Sequence, residues 1–214
     1  MPQDLPALVI AVDGPAASGK GTIARALAAR FDLPHMDTGM LYRAVALVLF
    51  RFGGDPASEF EAARAAHDID KIPSDDEELR SEVVGSIASR VSAYPEVRAA
   101  LLAKQLSFAG QDGGAVLDGR DIGTVIAPSA RVKLFVTASP EERARRRLAE
   151  LTARGMNAHY NDVLADIRAR DARDSGRDAA PLVRADDAFL LDTTELDRDA
   201  AIAEAIRLVE ERLG

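Results

Sequence analysis

The sequence predicts an α/β fold of three layers, in which a five-stranded parallel sheet carries helices on both faces. Short apolar runs alternate along the chain with helical patterns, and this alternation favours parallel strands joined by helical crossovers. The first apolar run is followed directly by a glycine-rich turn and then by a helical pattern. The chain has 214 residues, of which 47% are hydrophobic. This composition is typical of a globular protein with a substantial core.

The strands are expected at the short apolar runs, and helices are expected to follow them. The five strands are predicted at residues 7–13, 34–36, 115–118, 132–136 and 188–192. Helices are predicted from Lys20 onward and at residues 39–50, 140–154 and 198–213. In the last helix Ile202, Ile206, Val209 and Leu213 share one face, which indicates packing against the sheet.

The region between the second and third strands, about residues 55–110, is too long for a simple crossover. It reads as a helical insertion over one edge of a single domain that spans residues 1–214. Its stretch "HDIDKIPSDDEELRSEVV" is short and polar, so we do not expect a small sheet there.

The glycine-rich turn "GPAASGKGT" fits the spacing of a phosphate-binding loop, with Gly14, four residues, Gly19 and Lys20. Glycines allow the backbone to approach a ligand, and the amides at the start of the next helix favour an anion. The residues expected to bind ATP are Gly14, Pro15, Ala16, Ala17, Ser18, Gly19, Lys20, Gly21 and Thr22. The alternative, an ordinary glycine-rich turn with a surface lysine, is much less consistent with the flanking strand and helix.

One position departs from the common loop pattern. Gly21 follows Lys20, so the hydroxyl that usually binds Mg²⁺ directly after the lysine is missing, and Thr22 comes one residue later. We therefore expect Mg²⁺ to be held by the nucleotide phosphates, by water and by a carboxylate at a strand end. The candidate is Asp118, directly or through water.

Polar clusters follow the predicted strands, and ligands of such sheets bind beyond the carboxyl ends of the strands. Arg43 and Arg120 each lie just past a strand end. Arginine matches phosphate oxygens with two parallel hydrogen bonds, so the pair predicts a second phosphate facing the first. The three histidines are scattered and the chain has no cysteine, so neither a histidine-based catalytic set nor thiol chemistry is indicated.

Charge and hydropathy exclude several classes of protein. The formal net charge is −8, which argues against binding to nucleic-acid backbones. The N-terminus lacks the basic start of a signal peptide, and no apolar run is long enough to span a membrane. We therefore expect a cytoplasmic protein that binds neither nucleic acid nor membranes.

Four stretches in this order resemble bacterial cytidylate kinase, a P-loop kinase of the nucleoside monophosphate kinase family: "VDGPAASGKGT", "MDTGMLYR", "LDGRDIGTVIAP" and "RDARDSGR". The resemblance implies the three-layer P-loop kinase fold and transfer of the γ-phosphate of ATP, with Mg²⁺, to CMP or dCMP. We expect the protein to be a monomer. It also implies acceptor-binding roles for Thr38, Arg43, Ser89, Arg98, Arg120, Asp121, Arg170, Asp174 and Arg177. Without the resemblance, Ser89 and Arg98 would be interpreted as helix-surface residues.

Many arginines lie between residues 143 and 177, and they fit either a solvated pair of helices or a mobile lid. We favour a lid over about residues 145–177, because Gly155 and the polar residues after it break the helical pattern. Arginines of a closing lid would neutralise the transferring phosphoryl group and exclude water. The predicted catalytic residues are Lys20, Arg120, Arg154 and Arg173.

Two other functions remain open at this point. One is a kinase with a different acceptor, such as UMP, AMP or a small metabolite. The other is a nucleotide-binding switch ATPase, which would not need Arg43, Arg120 and Arg177 to face the phosphate-binding loop.

Overall fold

The computed structural model describes residues 7–214, so the predicted absence of a signal peptide, which concerns the first residues, lies outside the described part. The sheet has five parallel strands: β1 (Val9–Asp13), β2 (His35–Asp37), β3 (Ala115–Gly119), β4 (Val132–Thr137) and β5 (Phe189–Asp192). Their spatial order is β2-β3-β1-β4-β5. The predicted fold class and all five predicted strands are confirmed, with strand ends that differ by at most two residues.

Eight α-helices connect and cover these strands in the described part of the chain. They are α1 (Lys20–Phe31), α2 (Thr38–Phe52), α3 (Glu59–Ala66), α4 (Glu82–Val91), α5 (Pro95–Ala109), α6 (Pro140–Ala153), α7 (Tyr160–Gly176) and α8 (Arg198–Leu213). Short 3₁₀ helices cover Ile69–Lys71 and Glu77–Arg80, and a π-helical turn covers Ile122–Ile126. No described helix is long and apolar enough to cross a membrane.

The central strand β1 is buried on both faces, which explains its unbroken apolar sequence. Ile10 and Val12 pack in a cluster with α1 and α8, whereas Val9 and Ala11 pack in a cluster with the end of α5 and the π-helical turn. The two clusters place one helical layer on each side of the sheet. The carboxyl end of β1 therefore lies at the middle of the sheet edge where ligands of this fold class bind.

The region 55–110 is entirely described and contains helices and turns but no strand, as its polar sequence predicts. Its helices share a hydrophobic cluster with α2, in which Val45, Leu47 and Leu101 are fully buried. A smaller cluster joins α6 to α7 through Ala144, Leu151, Val163 and Ile167. Each of these two regions thus has apolar packing of its own.

Side chains define where several helices begin. Asp37 accepts a hydrogen bond from the Gly39 amide at 2.9 Å and caps α2. Ser139 caps α6 through the Glu142 amide, with Pro140 at the first helical position. The break predicted between two helices is confirmed, because α6 ends at Ala153, Gly155 has φ of 74° and α7 begins at Tyr160.

Candidate active site

The glycine-rich loop joins β1 to α1 through two backbone positions that require glycine. Gly14 has φ of 153°, and a Cβ there would lie 2.0 Å from the Val136 carbonyl oxygen of β4. Gly19 has φ of 88° and is the N-cap of α1. The loop is therefore held closely against the sheet while its backbone wraps the start of α1. Such a helix start favours phosphate.

Lys20 is the first residue of α1, and its ammonium donates to the Pro15 carbonyl at 3.4 Å. Burial lowers the pKa of Lys20, the positive charge of Arg120 acts in the same direction, and the carboxylates of Asp118 and Asp37 oppose both, which leaves a pKa of about 8. The ammonium therefore lies in a position where added negative charge, such as a phosphate, would stabilise it.

This shift predicts how ATP affinity depends on pH. Because phosphate binding favours the protonated amine, the Kd of the free protein for a non-hydrolysable ATP analogue should rise as pH increases through about 8. Well above this pH, the Kd should rise by about tenfold per pH unit, because binding requires one proton on Lys20. The Lys20→Arg side chain keeps its charge at every working pH, so this variant should lack the bend near pH 8 in the plot of log Kd against pH. Calorimetric titration of both proteins checks this, and a bend that persists in Lys20→Arg would assign it to another group.

Opposite the loop, three arginines surround the buried carboxylate of Asp174. Arg120 Nε donates to Asp174 Oδ2 at 2.8 Å, and Arg170 Nε lies 3.9 Å from the same oxygen. Burial and the charge of Arg120 lower the pKa of Arg170 to about 10, and its Nε has no hydrogen-bond partner among the described residues. The charge of Arg177 also acts on Asp174. The cluster has more positive than negative charge, so a bound anion would stabilise it.

A second buried ion pair lies beside this cluster. Arg98 Nη2 donates to Asp121 Oδ2 in a very short contact, and Arg177 Nη2 lies 3.9 Å from Asp121 Oδ1. Within the described residues Arg177 Nη2 has no hydrogen-bond partner. Ser89 is buried, and its hydroxyl accepts a weak hydrogen bond from Arg173 Nε at 3.4 Å. These groups offer both donors and a carboxylate acceptor, which is what a cytosine edge requires.

Two further predicted acceptor residues, Arg43 and Thr38, bind backbone carbonyls of the protein. Arg43 Nη1 donates to the carbonyls of Leu79 at 2.7 Å and Ser81 at 3.2 Å. A Cβ at Gly85 would lie 2.8 Å from Arg43 Nη2, so a side chain at residue 85 would displace this guanidinium. The Thr38 hydroxyl is buried and donates to the Asp118 carbonyl at 2.9 Å. Their predicted roles toward the acceptor stay predictions.

The predicted lid contacts the insertion through its arginines. Arg154 Nη1 donates to the Arg80 carbonyl at 3.3 Å, and Arg147 forms an ion pair with Glu82. Arg173 reaches Ser89, as described above. Arg154 and Arg173 therefore lie on the side of the lid that faces the acceptor region, and their predicted catalytic roles stay predictions.

A Mg²⁺ ion would meet two carboxylates at neighbouring strand ends. Burial and the charge of Asp118 raise the pKa of Asp37, so a cation near both groups would lower the energy of the pair. A Cβ at Gly21 would lie 3.7 Å from Asp118 Oδ2, which places this carboxylate beside the phosphate-binding loop. No cluster of three or more histidine, aspartate or glutamate ligands occurs among residues 7–214. The residues thus fit an ion that takes most of its ligands from phosphates and water.

Several residues of the site were missed by the sequence analysis. The Ser92 hydroxyl lies 3.5 Å from Arg177 Nη1, and the Tyr42 ring lies under Arg98 at 5.9 Å. His35, interpreted as structural or surface, lies 2.6 Å from Asp118. Tyr42 stands inside the stretch "DTGMLYR" and was available as a signal, whereas nothing in the sequence distinguishes Ser92 from other helix-end serines.

Arg143 is a further residue whose role the sequence did not show. Two nitrogens of its buried guanidinium bind the Asp171 carboxylate of α7, at 2.9 and 2.6 Å. Nη1 also donates to the Ala16 carbonyl in the phosphate-binding loop at 3.3 Å. This side chain therefore joins the lid to the loop.

Comparison with known proteins identifies the family. The sequence model named Cytidylate kinase matches residues 10–211. The chain belongs to the cytidylate kinase family. It is 59% identical over 207 residues to a cytidylate kinase from Xanthobacter autotrophicus, covering 96% of this chain and 98% of that protein. It is 57% identical over 203 residues to one from Methylocella silvestris, covering 95% and 94%.

Among solved structures, an uncharacterized protein from Eubacterium ventriosum superimposes with a TM-score of 0.56 over 95% of this chain and 98% of that one. The two sequences are 15% identical, so this likeness supports the fold alone. Membership of the cytidylate kinase family confirms the resemblance found in the four sequence stretches.

Proposed function

We propose that the protein transfers the γ-phosphate of ATP to CMP or dCMP and releases CDP or dCDP with ADP. Family membership supports this reaction. The observation that carries it is the pair of cationic sites at one edge of the sheet, with Lys20 at the start of α1 and with Arg120 and Arg170 around Asp174. Two phosphate sites that face each other suit transfer between phosphates.

Lys20 and the loop amides hold the β- and γ-phosphates of ATP, while Arg43 and Arg120 hold the acceptor phosphate. Arg170 and Asp174 lie around the ribose. Thr38, Ser89, Arg98, Asp121 and Arg177 lie around the cytosine. Because the acceptor is already an anionic phosphate, position and charge neutralisation supply most of the lowering of the barrier.

Mg²⁺ bound with ATP neutralises charge on the phosphates, and Asp118 and Asp37 are the residues that would hold it, directly or through water. Residues 1–214 act as one kinase domain, in which the insertion at 55–110 and the lid at 145–177 close over the nucleotides. We further propose a cytoplasmic monomer that binds neither nucleic acid nor membranes. The support is the acidic composition, with a net charge of −8.

A panel of acceptors tests the reaction and separates it from its alternatives. ADP release is followed by a coupled assay with CMP, dCMP, UMP, AMP or no acceptor. We expect CMP and dCMP to give the highest kcat/KM and ADP release without acceptor to be at least about a hundredfold slower. Equal ADP release with and without acceptor would indicate a switch ATPase, and a preference for UMP or AMP would indicate a different kinase.

Lid closure provides another expected result. Arg154 is exposed beside Gly155, so trypsin should cut the loop between α6 and α7 in the free protein. With non-hydrolysable ATP and CMP bound together, the arginines of residues 145–177 face anions, and cutting there should slow by about tenfold or more. Mass spectrometry of the fragments checks this. Cutting after Arg131, an exposed residue that lies outside the lid and directly before β4, is the internal reference. An unchanged rate would indicate that the lid arginines are ordinary surface residues.

A further inference from the structure

Asp13 is a buried carboxylate to which the sequence analysis assigned no role. It is the last residue of β1, directly before Gly14 of the phosphate-binding loop, and only 5% of it is exposed. Its Oδ1 accepts a hydrogen bond from the Ile122 amide at 2.8 Å, and its Oδ2 accepts one from the Gly123 amide at 2.7 Å. One side chain of the ATP-binding strand thus holds two consecutive amides of the segment after β3.

The segment that Asp13 holds carries two predicted acceptor residues. Arg120 and Asp121 immediately precede the two amides, and the π-helical turn begins at Ile122. The Asp121 carbonyl accepts from the amides of Val125 at 2.9 Å and Ile126 at 3.2 Å. Since the turn is fixed on one side by these bonds and on the other by Asp13, the side chains of Arg120 and Asp121 leave the backbone in fixed directions.

A carboxylate suits this position better than any neutral side chain. Two neighbouring amides need two acceptor oxygens, and an asparagine would present an N–H group to one of the two amides. A Cβ at Gly123 would lie 3.3 Å from Asp13 Oδ2 and 3.1 Å from Lys133 Cδ, so a side chain at residue 123 would crowd the carboxylate. Burial raises the pKa of Asp13 and the hydrogen bonds from Gly123 and Ile122 oppose this shift, which leaves a pKa of about 7.

Asp13 thus links the phosphate-binding loop to the segment after β3. The loop end of this link is also fixed in place. The backbone of Gly14 lies against the Val136 carbonyl of β4 with no room for a side chain. Asp13 also pairs in register with Gly119, the last residue of β3. The start of the phosphate-binding loop and the acceptor segment therefore share a rigid connection that runs through one side chain.

We propose that Asp13 is a positioning residue for acceptor selection, which holds the Arg120–Asp121 segment in register with the phosphate-binding loop. The proposal rests on the proposed function, in which Arg120 binds the acceptor phosphate and Asp121 binds cytosine. The acceptor site is therefore pre-organised by the fold itself, before either nucleotide binds.

Asp13→Asn tests the link, with Val209→Ala as the matched control. Val209 is fully buried in the cluster with α8 and contacts neither nucleotide site. The thermal midpoint of unfolding is measured for both variants. The experiment also determines the Kd of a non-hydrolysable ATP analogue and of CMP, each alone and with the other bound, and kcat and KM for CMP and UMP.

For Asp13→Asn we expect KM for CMP to rise by about tenfold, with the Kd of the ATP analogue changed by less than about twofold. The ratio of kcat/KM for CMP to that for UMP should narrow by about fivefold or more, because Asp121 is no longer held in place. Val209→Ala should keep the wild-type acceptor ratio even where its unfolding midpoint falls.

If Asp13→Asn does not fold, Gly123→Ala supplies the test, since its methyl group would lie 3.3 Å from Asp13 Oδ2 and crowd this contact while the carboxylate stays present. A wild-type ratio of kcat/KM for CMP to that for UMP in the variant would overturn the proposal, as would an equal loss of efficiency for CMP and UMP together with weaker ATP binding. These outcomes are distinct from a failure of the proposed function, which would appear as a wild-type protein that does not phosphorylate CMP.

Discussion

Lys20→Ala should leave the protein folded and lower kcat for CMP phosphorylation by about 10²–10³-fold or more. The ammonium is partly buried at the start of α1, on the side of the site where Arg120 and Arg170 act on it. In the proposed reaction it lies against the phosphates on which negative charge develops. Removing it takes away stabilisation of the transition state in a place where water does not replace it easily.

The measurement is steady-state kcat and KM with saturating ATP, together with the unfolding midpoint. Lys104→Ala is the control, because the Lys104 ammonium lies 2.6 Å from Asp70 on an exposed surface. That variant should retain wild-type turnover. Near-normal turnover in Lys20→Ala would show that the glycine-rich loop does not hold the reacting phosphates.

Asp121→Asn should lower kcat/KM for CMP by roughly ten- to a hundredfold and lower that for UMP by less. The carboxylate can accept a hydrogen bond from the exocyclic amine of cytosine, but it repels the carbonyl that uracil presents at the same place. An asparagine keeps the shape and adds a donor, so it can face either base. The ratio of kcat/KM for CMP to that for UMP should therefore become smaller.

The structure adds a second consequence of this substitution. Arg98 forms its short ion pair with Asp121, so neutralising residue 121 leaves a mostly buried guanidinium without its charged partner. Part of the loss in kcat/KM should therefore be shared by CMP and UMP. Asp187→Asn is the control, because Asp187 is half-exposed and pairs with Lys133. An equal loss for CMP and UMP would mean that Asp121 acts only by positioning Arg98 or Arg120, and that cytosine selection rests on Ser89, Arg98 and Arg177.

The sheet and the phosphate-binding loop could be predicted because their signals are local. The apolar run before Gly14, the glycine spacing and the helical pattern from Lys20 lie within one short stretch of chain. The strand ends also indicated which polar residues share one edge of the sheet, since parallel strands all end there. On this basis Arg43 and Arg120 could be predicted as residues of the candidate site from the sequence alone.

The partners of individual side chains could not be predicted in the same way. Arg143 and Arg145 lie two residues apart in one arginine-rich helix, yet Arg143 is buried against Asp171 and Ala16, while Arg145 pairs with Glu142 at the surface. The difference depends on which face of α6 meets α7 and the loop, and the arginine pattern alone does not specify that face. Asp13 is a similar case, because both of its partners are backbone amides more than a hundred residues away.

Transfer of labelled phosphate tests the central claim most directly. The protein is incubated with ATP that carries ³²P in the γ-phosphate and with CMP, and the products are separated by chromatography. The account predicts that the label appears in CDP in equal amount to the ADP released. Label found in inorganic phosphate, or ADP formed without labelled CDP, would contradict it.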